Sequence, residues 1–133
     1  MQIGEADFLS ILGKDFPIVW QEQRALQIFR HDDHWLINTS ARTSVKQLQA
    51  ALLQNYKQIG HAWFMQRMQC YLPQLPHAPS ALQIRSLRSL WGSLNVANVV
   101  SLDVALLFAP EPVGEYVLVH ELCHILQRNH SPK

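Results

Sequence analysis

The chain has no apolar run approaching the ~20 residues a helix needs to cross a bilayer. Its first ten residues carry Glu5 and Asp7 where a secretory signal would carry a basic segment. Cysteine is scarce. Cys70 and Cys123 are the two present, too few for a disulfide framework. A reducing, cytoplasmic setting is therefore expected, and a bridge between them cannot be deduced from sequence. An excess of either charge is missing as well: 11 Lys and Arg stand against 10 Asp and Glu, a formal net charge of +1 with histidine neutral. That removes any global drive toward nucleic acid or an anionic membrane. No internal repeat or low-complexity tract is present. What remains is 133 residues, 48% apolar and 16% charged, the profile of one folded globular domain spanning residues 1–133.

The first forty residues read as short strands: Phe16 to Trp20, the alternating stretch around Leu26 and Ile28, and Trp35 to Asn38. His31-Asp32-Asp33-His34 between the last two suits a solvated hairpin turn, and its two histidines and two carboxylates are a lesser candidate for a metal. Thr43 or Ser44 is placed to cap a long helix reaching about Cys70. Its stripe is Val45, Leu48, Leu52, Tyr56, Ile59 and Trp63, with His61 outside it. Pro73, Pro76 and Pro79 end that helix and form a linker with His77 exposed. Leu82 to Arg85 and Val99 to Leu102 read as a pair of strands, with Trp91-Gly92-Ser93 as a turn or bulge. Asp103 is placed to cap a short helical piece through Phe108. Pro112 suits the first turn of a last helix running to about Gln127, with Glu111 and Glu115 at the positive end of its dipole.

That last helix contains His120-Glu121-Leu122-Cys123-His124, an HExxH sequence. Residues four apart share a helix face, so both imidazoles can grip one metal ion. Glu121, directly after the first ligand, is placed to hold and deprotonate a water on that metal. His130 follows His124 by six residues, and a turn at Asn129 would bring it back as third ligand. Three protein ligands and a water are the usual design of a catalytic zinc site. An exposed amphipathic helix can carry the same letters by chance. Here Val113, Tyr116, Val117, Leu118, Val119, Leu122, Ile125 and Leu126 surround them, so the segment is expected to be buried on most sides, where polar groups need partners. Cys123 and Tyr116 are expected to pack in the core, as is Trp91.

Arg88-Ser89-Leu90-Trp91-Gly92-Ser93, Ser101-Leu102, Phe108-Ala109-Pro110, Tyr116 to His124 and Asn129-His130-Ser131 together resemble the YgjP-like metallopeptidase family, itself similar to the SprT-like and WLM zinc peptidases. The resemblance covers nearly the whole chain, closely over the C-terminal fifty residues. It implies an α+β, zincin-like domain: an N-terminal antiparallel β segment, a long amphipathic helix, a short sheet and a C-terminal HExxH helix. It also implies Zn2+ carried by His120, His124 and His130, with Glu121 as catalytic base. Members usually carry an arginine and a cysteine around the Trp-Gly-Ser where this sequence has Leu90 and Leu94, which implies altered substrate handling. Members also continue with an aromatic-rich segment and a further helix. This sequence stops at Lys133 and is expected to lack that helix. Gln127 stands where metzincins have glycine and no Met-turn follows, so that class is rejected. No glutamate follows His130, which excludes a thermolysin-like ligand set.

The expected function is that of a zinc metallopeptidase acting on a peptide or protein substrate, with no nucleic-acid or membrane partner read from the sequence. Two other readings compete. A metal-activated water also attacks phosphoanhydrides, for which Arg85, Arg88 and Arg128 are the nearby cations. A zinc-stabilised binding module would keep the metal without needing Glu121. Asn95, Asn98 and Tyr116 are weaker candidates for the edge of the cleft.

Overall fold

Alternating apolar residues at Phe16, Ile18 and Trp20 drive β2 (Lys14–Glu22), whose half-buried positions are every second residue. A computed structural model of the chain describes residues 8–130, and side chains through residue 127. Ahead of β2 lies β1 (Phe8–Ile11), a strand the sequence pattern does not single out. The two join through Leu12 and Gly13, both at positive φ (53° and 84°), the backbone twist a two-residue hairpin favours.

β3 (Gln27–Arg30) and β4 (Trp35–Thr39) form the expected hairpin across the His31 to His34 turn. The sheet order is β1-β2-β4-β3, and β2 pairs β4 in parallel, Ile18 opposite Trp35. The N-terminal β segment is therefore mixed rather than antiparallel throughout. The reason lies in β4, whose Trp35 and Ile37 are fully buried. The most apolar strand takes a central place, so its hairpin docks with β4, not β3, beside β2.

Ser44 begins α1 (Val45–Gln69) with a complete capping box: its hydroxyl accepts from the Gln47 amide at 3.1 Å, and Gln47 Oε1 accepts from the Ser44 amide at 2.8 Å. Leu48 and Tyr56 are buried as the stripe predicts. The centre of the stripe then shifts by one position to Gly60, Phe64 and Met68, leaving Ile59 and Trp63 half-buried and Val45 exposed. Gly60 explains the shift. A Cβ there would lie 3.1 Å from Leu107 Cδ1, so its bare backbone lets the 3₁₀ turn Val104–Phe108 press onto α1.

The second sheet, in order β5-β7-β6, holds β5 (Ala81–Arg85), β6 (Gly92–Leu94) and β7 (Val99–Asp103). β5 runs parallel to central β7 and β6 antiparallel to it. Trp91-Gly92-Ser93 thus leads into an edge strand rather than forming only a turn. Asp103 does not cap the 3₁₀ turn with its side chain. Its Oδ1 accepts from the Leu87 amide at 3.0 Å, tying down the loop between β5 and β6.

The last helix, α2 (Glu111–His130), runs three residues past the expected end at Gln127. No glycine or proline interrupts the sequence between Gly114 and Pro132, so nothing local stops it at Asn129. Leu118, Leu122 and Ile125 of α2 join Phe64, Val100, Leu102, Leu106 and Leu107 in the core. Two helices and two small sheets make the chain an α+β protein. Among the described residues no helix is long and apolar enough to cross a membrane.

Candidate metal centre

One side of α2 is buried through Gly114, Leu118, Glu121, Leu122 and Ile125, and the opposite side is open. The apolar residues around the motif do not enclose it, contrary to the sequence expectation. Tyr116 is 71% exposed, and Cys123 is exposed and free, as is Cys70. The period of 3.6 residues explains both: Cys123 is about 200° around the helix from Ile125, and Tyr116 about 200° from Leu118. Trp91 is also exposed rather than packed in the core.

The histidines sit at the margin between these two sides. His120 is exposed, His124 half-buried and Glu121 buried. Their ligand atoms lie within 4.8 Å of one another. The rings of His120 and His124 meet edge to face with centroids 5.1 Å apart. His124 Nε2 and Glu121 Oε1 are 3.9 Å apart. Among the described residues His124 is the imidazole within 4 Å of the Glu121 carboxylate. Two imidazoles beside it, open to solvent on one side, supply a donor set that fits a divalent cation and a water held by the acid.

His130 continues the helical backbone, and its side chain lies outside the described residues. Positions six apart on an unbroken helix are turned about 240° from one another. A ligand role for His130 therefore requires the chain to leave the helix after Gln127.

The helix is held by contacts that sequence reading did not find. Arg67 of α1 donates to Glu111 at 3.1 Å and lies 3.9 Å from Glu115, its guanidinium 5.1 Å from the Trp63 ring centroid. Tyr71 donates to Glu115, and this bond raises the Tyr71 pKa. Gly114 packs on Phe64, where a Cβ would lie 3.0 Å from the ring. Glu111 and Glu115 thus pin the start of α2 as well as suiting its dipole. The signal available in sequence was only their spacing of one turn. Replacing Arg67 with alanine is expected to lower stability by about 1 kcal/mol, combining an exposed ion pair with a cation–π contact. Thermal melts at low and high salt would check this, and the deficit is expected to shrink with salt.

The other candidates fall elsewhere. Tyr116 stacks beside His120 at 6.3 Å and, with Glu111, Pro112, Glu115 and Val119, lines a cleft of about 420 Å³. Asn95 serves the β6–β7 turn, its Oδ1 accepting from the amides of Ala97 and Val99. Asn98 adopts the left-handed conformation of that turn, with φ 63°. Arg85 lines a separate groove with Lys57 and His61 between α1 and β5. In the β3–β4 turn, His34 Nδ1 lies 2.7 Å from Asp33 Oδ1. That hydrogen bond holds the exposed Asp33 carboxyl below its usual range, and this turn does not gather three ligand atoms.

No curated protein and no solved structure matches the chain. A family does, under the description YgjP-like, metallopeptidase domain, and the match runs from residue 1 to residue 133. The donors on α2 therefore lie within a metallopeptidase domain, and the chain belongs to the YgjP-like family.

Proposed function

We infer that this protein is a zinc-dependent peptidase of zincin-like architecture that cleaves peptide bonds in a peptide or protein substrate. The observation that carries the reading is the gathering of His120, Glu121 and His124 within 4.8 Å at the open margin of a helix whose other side is anchored in the core. His120 and His124 would hold the ion, with His130 as third ligand. Zinc held there would supply Lewis acidity, making a water easier to deprotonate and a scissile carbonyl easier to attack. Glu121 accepts the water proton and delivers it to the departing amine. Its burial supports this role, because packing restricts the methylene stem while one carboxylate oxygen stays near His124. Tyr116, exposed beside His120, would contact a substrate that approaches the open side of the helix.

Peptidase chemistry is favoured over phosphoanhydride hydrolysis by the placement of Arg85 and of the acids beside His120, while the Arg128 side chain lies outside the described residues. Arg85 lines the groove between α1 and β5, and the acidic residues Glu111 and Glu115 line the cleft next to His120. A phosphate-binding site would want the opposite arrangement. The zinc-loaded protein, assayed side by side on casein and on nucleoside triphosphates, is expected to release peptides and no phosphate. Phosphate release without peptide release would overturn the reading.

A further inference from the structure

Gly92 needs no glycine for its own backbone, since its φ is not positive, unlike that of Gly13. Its surroundings are another matter. A methyl group there would lie 3.0 Å from Val117 Cγ1, 3.1 Å from Glu121 Cγ and 3.2 Å from Leu102 Cδ2. β6 therefore runs directly against the side chain of Glu121, at the carbon next to its carboxyl group. The strand cannot easily retreat. Gly92 is in register with Leu102, the Asp103 amide donates to the Trp91 carbonyl at 2.9 Å, and the Asn95 amide donates to the Val99 carbonyl at 3.2 Å.

Of the three neighbours, two are fixed. Leu102 is fully buried in the central strand. Val117 is β-branched on a helix, where one χ1 rotamer dominates. Glu121 has the freedom to yield. Any side chain at position 92 would therefore shift the glutamate. We propose that Gly92 is a positioning residue for Glu121: its missing side chain lets β6 act as a wall that sets where the carboxylate stands relative to His124. This deepens the peptidase reading and rests on it.

The test is Gly92→Ala, with Val117→Ala and the double variant as companions, all in the full chain loaded with zinc. Misplacing a reacting group by a fraction of an ångström to an ångström costs up to ~10²-fold in rate. G92A is expected to lose at least ~10-fold in kcat with KM within ~2-fold of wild type and zinc content unchanged, because the three atoms nearest the added methyl belong to Val117, Glu121 and Leu102. V117A is expected to lose stability and keep kcat. G92A/V117A is expected to stay slower than V117A, because the contact with Glu121 persists when the one with Val117 is gone. This comparison also decides the matter should G92A alone not accumulate as folded protein. An unchanged kcat in both glycine variants, or a loss confined to KM, overturns the inference.

A wild type without peptide turnover would sink the peptidase reading, and the placement of Glu121 by Gly92 is then tested apart from it. Visible absorption of the cobalt(II)-substituted proteins then decides: G92A is expected to shift the spectrum as Glu121→Gln does, and a G92A spectrum identical to wild type overturns the proposal.

Discussion

Replacing Glu121 with glutamine is expected to reduce peptide turnover by about 10²–10⁴-fold, the range contributed by a positioned general acid–base, while zinc content stays near that of the wild type. The substitution keeps shape. Glutamine fills the same space against β6 and Val117, and His120 and His124 keep their places on α2. It removes the carboxylate proposed to take a proton from water and return it. The fold is expected to be as stable as the wild type, since glutamine keeps the size and shape of a residue that is 7% exposed. Turnover of a quenched fluorescent peptide, elemental analysis and a thermal melt on one preparation check all three. Retained turnover would remove Glu121 as the base. A parallel loss of zinc would make it a ligand or a support of the ligands instead.

The parts of this molecule that were legible in the sequence are those whose cause is local. Ser44 with Gln47 spells a capping box, and α1 begins there. The four-residue spacing of His120 and His124 needs only a helix to bring the rings together, and α2 supplies it. What stayed hidden depends on partners far along the chain. The parallel pairing of β2 with β4 follows from which strand of a hairpin is more apolar. β1 is four residues long and is defined by its register with β2. The apolar residues around the motif suggested burial on most sides, yet Tyr116 and Val113 are exposed, because apolar residues need not be inside. Glycines were the least legible. Gly60, Gly92 and Gly114 each admit a specific neighbour, Leu107, Glu121 with Val117, and Phe64, and none of these pairings can be read from the glycine itself.

Zinc binding itself gives the second large effect, and it separates the roles of the three histidines. The wild-type protein is expected to carry about one zinc per chain, as the proposed site of His120, His124 and His130 requires. His120→Ala and His124→Ala are each expected to abolish it, since either change breaks the pair of imidazoles one turn apart on α2. Neither should unfold the protein. The two rings are on the open margin of α2, and the core is built by Leu118, Leu122 and Ile125 on its other side. Removing metal with a chelator is expected to lower the melting temperature without abolishing the transition, because a ligand at ~100 times its Kd contributes about 2.7 kcal/mol. His130→Ala is the discriminating variant. As a third ligand, His130 should weaken zinc by more than the ~10–100-fold typical of outer-shell changes. That outcome would also mean that the last turn of α2 opens when metal binds, since an unbroken helix turns position 130 away from position 124. Zinc affinity unchanged in His130→Ala would leave His120 and His124 as the protein's histidine ligands, with the remaining coordination positions open to Glu121, water and substrate.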